Sequence, residues 1–295
     1  MSWLQITVPA RDDQSELIEH RMEAAGALAV TMADAGDEPQ LEPAPGATPL
    51  WRQVEVTGLF RDDAEGRKQI QDLSRALREL TDCPPRVEAL ADQVWERVWL
   101  DDLRPTRFGQ RLWVCPQGQR PPIADTVVVD LDPGLAFGTG HHSTTALCLT
   151  WLDGQDLSGR TLIDYGCGSG ILAIAALRLG AARAIAVDHD PQAREATACN
   201  AAANGVAAQI EVCPPERLAP VPADVLIANI LAGPLVALAP ILTGHLPPTA
   251  ALALSGILRE QVVEVAAAYT HAFELAPARY QEEWALLSGR RRGPE

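Results

Sequence analysis

Lysine is almost missing from this chain. Of 24 basic residues only Lys68 is a lysine, and the rest are arginines. Positive charge is outnumbered as well, because 39 Asp and Glu residues leave a net charge of −15. Such a surface repels a phosphate backbone, which argues against extended nucleic-acid binding, and it attracts a basic protein partner. No apolar run reaches the ~20 residues of a membrane-spanning helix, so no span is expected. Residues 1–10 lack a basic start followed by an apolar block, so no secretory signal is read. The six cysteines, at 83, 115, 148, 167, 199 and 213, include no C-x-x-C pair. That disfavours a metal cluster and a disulfide framework alike, and it fits a cytoplasmic protein. A monomer is expected.

What is present is enough for two domains. The 295 residues exceed one average domain, and 47% of them are hydrophobic. The stretch from Leu162 to Ile171 organises the rest. An apolar run, Thr161 to Ile163, reads as a buried strand. Gly166, Gly168 and Gly170 then make a tight turn, and Ile171 to Leu179 has helical spacing. A strand, a glycine loop and a helix N-terminus form a seat for a nucleotide-like ligand. The dinucleotide fingerprint has glycines at relative positions 1, 3 and 6. Here they fall at 1, 3 and 5. Asp164 stands two residues before the first glycine. A second strand, Ala184 to Val187, ends at Asp188, whose carboxylate can take the hydroxyls of a ribose.

The N-terminal part alternates between periods. Residues 3–9 read as a strand, and Asp13 or Ser15 caps a helix to about Ala25. Further strands fall at 27–32, 53–60 and 86–90, with a helix over 62–80. The β-α-β-β-α-β order is ferredoxin-like. It holds no catalytic constellation and is assigned to recognition. Residues 34–49 read as an acidic surface loop. Residues 92–122 read as a connector, in which Trp95 and Trp99 share a helix face and Phe108 to Cys115 form a strand. The domains are therefore expected at 1–91 and 123–295.

A second glycine-rich segment, Leu131 to Thr145, ends where a helix starts at Thr144 or Thr145. Its backbone N–H groups and hydroxyls suit a carboxylate or a ribose. Packing or hydrogen bonding within the loop is the better reading of His141 and His142, since no third metal ligand is near. Beyond Asp188 come helices opening at Pro191 and Pro234, strands at 209–213 and 223–228, and then Asn229-Ile230-Leu231-Ala232. A strand at 250–254, a helix at 259–269 and a hairpin of 273–280 with 283–288 close the pattern. It describes a mainly parallel sheet with an antiparallel strand. Arg290 to Arg292 read as a disordered basic tail.

The acid, the three alternate glycines and Asp188 resemble the S-adenosylmethionine site of the Rossmann-like methyltransferases. The 131–145 loop, Asp188-His189-Asp190-Pro191, Asn229 to Leu235 and the connector residues Phe108-Gly109 and Arg111-Leu112-Trp113 are similar to one bacterial family. That family is the methyltransferase of large-subunit ribosomal protein eleven. The resemblance spans nearly the whole chain. It implies an α/β fold, with a Rossmann-like methyltransferase domain preceded by a small ferredoxin-like α+β domain that holds the substrate. It further implies an enzyme that methylates the N-terminal α-amine and lysine side chains of that ribosomal protein. Cofactor contacts carry over to Thr145, Gly166, Asp188 and Asn229. Gly168 joins them as the middle of the glycine loop, and Asn229 takes the catalytic role. The family usually has Thr where His141 stands here and Pro where Ser143 stands.

Amine and amide methyltransferases usually carry Asn-Pro-Pro-Tyr at the position of Asn229 to Ala232. Without that aromatic ring, a more open site and repeated methylation are expected. The residues alone leave other readings: a methyltransferase of another protein, of a small amine or of nucleic acid, a non-catalytic S-adenosylmethionine-binding module, or a dehydrogenase. The glycine spacing disfavours the last.

Overall fold

The computed structural model describes residues 2–36, 38, 49–81, 83–90, 104–116, 118–123, 126–131, 142–219 and 221–293. Most of the acidic loop, Trp95, Trp99 and residues 132–141, including His141, lie outside them. The chain divides into two compact units, Met1–Val94 and Trp95–Glu295.

The first unit runs β1 (Trp3–Arg11), α1 (Asp12–Ala24), β2 (Ala29–Asp34), β3 (Gln53–Arg61), α2 (Ala64–Leu77) and β4 (Arg86–Leu90). Its strands pair antiparallel in the order β2-β3-β1-β4. Strand alternation sends Ile6, Val8, Val54, Val56 and Phe60 to one face. Ile18 and Met22 from α1, and Ile70, Leu73 and Leu77 from α2, cover that face at helical spacing. Asp63 starts α2 by accepting the Gly66 N–H at 2.8 Å. Lys68 lies exposed on α2. This is the ferredoxin-like order read from the sequence.

The second unit opens with a three-stranded sheet of β5 (Thr106–Phe108), β6 (Leu112–Pro116) and β7 (Val127–Leu131). The sequence suggested one strand over 108–115. Instead the chain turns at 109–111, where the buried Asp153 carboxylate accepts the N–H groups of Gln110 and Arg111 at 2.5 and 3.4 Å. The segment expected as a connector thus supplies strands to the second unit.

Next come α3 (Ser143–Asp153), β8 (Thr161–Tyr165), α4 (Ile171–Arg178), β9 (Arg183–Val187), α5 (Pro191–Ala203), β10 (Ile210–Cys213), β11 (Val225–Asn229) and α6 (Ala232–Gly244). The chain finishes with β12 (Ala251–Leu258), α7 (Val262–Tyr269), β13 (Phe273–Leu275), β14 (Arg279–Gln281) and β15 (Trp284–Arg291). Five strands lie parallel in the order β10-β9-β8-β11-β12, and β15 adds antiparallel beside β12.

Alternation along these strands feeds two cores. Leu162, Ala184, Ala186, Val225, Ile227, Ala251 and Ala253 pack with the helices α3, α4 and α5. Ile163, Ile185, Val187, Leu226, Ala228, Leu252 and Leu254 pack with α6 and α7. A sheet buried on both faces by crossover helices is the doubly wound α/β arrangement.

Three details depart from expectation. Strand β12 does not stop at Leu254 but continues to Leu258 through an irregularity between Leu254 and Ile257. The expected strand 273–280 breaks into β13 and β14 around Pro277, which has no N–H to give, and both pieces pair with β15. The basic run is not a disordered tail. Arg290 and Arg291 close β15, the Arg291 guanidinium donates to the carbonyls of Thr243 and Leu246 at the end of α6, and the Arg292 N–H donates to Ala272 O at 2.9 Å. A cation is favoured at a helix C-terminus. Among the described residues no helix is long and apolar enough to cross a membrane.

The fully buried Tyr269 donates its hydroxyl to Leu235 O at 2.7 Å and so ties α7 to α6. Tyr269→Phe removes this bond with little change of volume. The expected cost is about 1 kcal/mol, read as a lower urea midpoint with an unchanged slope.

Candidate active site

The crossovers from β8 and β11 leave in opposite directions along the sheet, so a crevice opens outside their carboxyl ends. Three positive-φ glycines follow β8: Gly166 at +81°, Gly168 at +54° and Gly170 at +78°. The N–H groups of Gly166 and Cys167 are anchored on Val187 O at 2.8 and 3.0 Å, which fixes the loop against the end of β9. A Cβ at Gly166 would sit 2.3 Å from Ile230 Cγ2. On the far side of Ile230 stands Gly256, at φ +81° inside β12, where a Cβ would sit 2.3 Å from Ile230 O. Ile230, the residue after Asn229, is therefore held between two positive-φ glycines, its side chain against Gly166 and its backbone against Gly256. Gly256 was missed as a site residue. The available signal was a lone glycine inside an apolar strand, which marks a bulge or a close backbone approach.

The sequence-derived residues come together as two linked pairs. Asp188, at the end of β9, accepts the Gly168 N–H at 3.0 Å through Oδ2 and the Asp190 N–H at 3.0 Å through Oδ1. Asn229, at the end of β11, donates its Nδ2 to Thr145 Oγ1 on α3 at 3.3 Å. Gly166 touches the same strand end through Ile230. Thr145 is fully buried and Asn229 is half-buried.

Helix α3 begins at Ser143, two residues inside the expected loop. His142 caps it, its Nδ1 accepting the Thr144 N–H at 3.3 Å and pairing with Thr144 Oγ1 at 2.8 Å. The His142 ring meets Trp284 edge-on at 5.0 Å. Burial holds this imidazole below its usual pKa, while the Glu282 charge pulls the other way. The described histidine of the pair thus serves hydrogen bonding. Among the described residues no three His, Cys, Asp or Glu side chains gather as metal ligands.

Asp164 lies under the glycine loop and is fully buried. Its Oδ2 accepts the Ala173 N–H at 3.0 Å, and its Oδ1 has no partner among the described residues. Burial pushes the carboxyl up to about 7, the Ala173 N–H pulls it back, and the Asp188 charge adds to the rise.

These features suit S-adenosylmethionine. Each Asp188 oxygen accepts one backbone N–H, and although His189 Nδ1 stands 3.5 Å from Oδ1, Oδ2 keeps a second lone pair for a ribose hydroxyl. The glycine loop offers bare main chain. Asp188, at the end of β9, places an acidic side chain beside that main chain.

A doubly wound sheet with a glycine loop, a ribose-type acid and a strand-end Asn at its switch point defines an S-adenosylmethionine-dependent methyltransferase. The profile of the family described as Ribosomal protein L11 methyltransferase (PrmA) matches residues 2–292. The chain is 52% identical over 294 residues to a Pseudomonas aeruginosa protein named ribosomal protein L11 methyltransferase, with 99% of each covered. It is also 52% identical over 297 residues to the protein of that name from Alkalilimnicola ehrlichii, covering 99% of this chain and 100% of the other. Among solved structures it is similar to a ribosomal protein L11 methylase from Lactobacillus delbrueckii subsp. bulgaricus. There the TM-score is 0.60 at 31% identity, over 65% of this chain and 100% of that one. The chain belongs to the ribosomal protein L11 methyltransferase family.

The raised Asp164 pKa makes stability depend on pH. Between about pH 4 and pH 7 the folded chain keeps a proton that the unfolded chain has released. Stability therefore falls as pH rises through this window, and the loss is complete above about 7. About three pKa units correspond to at most about 4 kcal/mol. Asp164→Asn keeps an acceptor for the Ala173 N–H and cannot ionise. In cofactor-free protein the melting-temperature gap between this variant and the wild type is expected to grow in the variant's favour from pH 4.5 to pH 8. A gap that does not change with pH contradicts the assignment.

Proposed function

We propose that this chain transfers methyl groups from S-adenosylmethionine to ribosomal protein L11, on its N-terminal α-amine and its lysine side chains. It does so in the cytoplasm and as a monomer. The observation that carries this reading is the Asn229–Thr145 contact at the end of β11. Thr145 takes the amide N–H, so Asn229 Oδ1 is left as an acceptor at the rim of the crevice. An acceptor there holds the hydrogens of an incoming amine and aims its lone pair.

Bound S-adenosylmethionine supplies a methyl group already activated on a sulfonium, so what the protein contributes is alignment and exclusion of water. Asp188 and Gly168 are assigned to the ribose, Gly166 to the close approach of ligand to main chain, and Thr145 and Asn229 to the rim. Protonation of the acceptor is the chemical obstacle. An α-amine with pKa ~7.7–8.0 is neutral in up to about a third of molecules near pH 7.4. A lysine with pKa ~10.4 is neutral in roughly one part in a thousand, a penalty of about 4 kcal/mol. A site with no dedicated base therefore handles the α-amine readily and must lower a lysine's pKa by burial.

Ala232 takes the fourth place, where the aromatic ring would stand, and Leu231 before it is half exposed. Such a rim admits chemically different amines and products that already carry methyl groups. The first unit, residues 1–91 by the sequence reading, is assigned to holding the substrate, and the acidic chain of net charge −15 suits a basic ribosomal protein.

Incubation of the full chain with methyl-labelled S-adenosylmethionine and unmethylated L11, read by gel and intact mass, tests the proposal. The expected result is one labelled band that gains several methylene masses. Asp188→Ala is expected to weaken cofactor binding at least about tenfold and to remove the label. A single addition under excess cofactor contradicts repeated methylation. An unlabelled L11 alongside labelled free amines contradicts the substrate.

A further inference from the structure

The C-terminal hairpin reaches the start of α3. Between β14 and β15 the turn is Glu282-Glu283, and Glu282 is held at φ +54°. A side chain in that region persists only where its surroundings over-determine it. Several contacts do so here. Arg259 donates from Nη2 to Glu282 O at 3.0 Å and from its backbone N–H to Glu283 O at 2.9 Å, and its guanidinium lies 4.3 Å from the centre of the Tyr280 ring. The Glu282 carboxylate then accepts the Ser143 hydroxyl at 2.6 Å, across 139 positions of sequence. Ser143 is the first residue of α3 and is buried. A carboxylate is favoured at a helix N-terminus, and a short hydrogen bond to an ionised acceptor is of the strong kind. Two residues further along the same turn, Thr145 meets Asn229.

We propose that Glu282 is a positioning residue for the cofactor crevice: through Ser143 it fixes the first turn of α3, and with it the place at which Thr145 meets Asn229. The inference rests on the reading of Thr145 and Asn229 as the crevice rim. It adds a determinant of cofactor affinity that lies outside the glycine loop, in a hairpin turn that contributes none of the sequence-derived site residues. It also gives Ser143 a defined part. His142, at φ −68° and ψ 136°, has the extended conformation that a residue before proline adopts. The first position of a helix is where proline is best tolerated, because its fixed φ is already helical. A proline at 143 would therefore order the start of α3 through its own ring, whereas the serine here orders it by bonding to Glu282.

The test is calorimetric titration of S-adenosylhomocysteine into the full chain and five variants. Glu282→Gly removes the acceptor and relieves the positive φ, so the turn itself is retained or stabilised. Its affinity is expected to fall about tenfold, the scale of one charge-assisted hydrogen bond. Ser143→Ala is expected to match it, and the double variant to be no weaker than either single one. Glu282→Gln keeps a carbonyl acceptor and should lose less than about threefold. Ser143→Pro combined with Glu282→Gly should return to within about threefold of the wild type, because the ring replaces the bond.

A Glu282→Gly variant that binds within twofold of the wild type overturns the proposal. So does a double variant near a hundredfold weaker, which would mean that the two residues act separately, or a proline that restores nothing. A wild-type chain that fails to bind S-adenosylhomocysteine overturns the crevice reading and this inference with it. Intact wild-type binding with unaffected variants overturns the inference alone.

Discussion

The crevice depends on one steric constraint, the confinement of Ile230 between Gly166, which faces its side chain, and Gly256, which faces its backbone. Each glycine has positive φ, and each would place a Cβ 2.3 Å from an Ile230 atom. Three adjacent strands, β8, β11 and β12, are thereby locked at the end where their crossovers diverge. The orientation of Asn229 follows from that lock, and so does the contact with Thr145 that brings α3 over the crevice. The glycine loop is thus both a seat for a ligand and one jaw of a clamp on the neighbouring strand.

Charge has been placed with the same economy. Asp188 is buried but shares its oxygens between two backbone N–H groups, whereas Asp164 is buried with one oxygen unmatched. Burying an ionised group without partners is costly, and the raised pKa of Asp164 expresses that cost. Below about pH 7 the folded chain avoids that cost by keeping the proton on Asp164.

Much of this was legible in the residues. The spacing of Gly166, Gly168 and Gly170, the acid at the end of the next strand and the alternation of strands with helices are local patterns, and local patterns report period and turn chemistry directly. Asp190 and Pro191 announced their helix by capping rules that need no tertiary context, whereas Asp13 and Ser15, read as caps of the first helix, lie inside α1, which starts after Arg11. What stayed hidden depends on residues far apart in sequence. The break at Gln110 comes from Asp153, more than forty positions away. The irregularity in β12 answers to Ile230. Arg291 looked like a tail because nothing nearby in the sequence reveals that the carbonyls closing α6 await it. The contact between Ser143 and Glu282 is invisible in the sequence, because 139 positions separate the two. The boundary of the second unit shifted for a similar reason: β6 is recognisable as belonging to it only once β7 pairs beside it.

The scarcity of lysine takes on meaning beside this chemistry. Arginine carries the same charge but stays protonated at pKa above ~12, so it offers no neutral nitrogen to an activated methyl group. On the proposal that amines are its acceptors, a chain that builds its cationic surface from guanidinium groups is nearly inert toward its own kind. Lys68, exposed on α2, is the one side-chain amine such a chain presents to a neighbouring copy. Replacement of ammonium by guanidinium thus acts as chemical self-immunity, obtained without any change of charge.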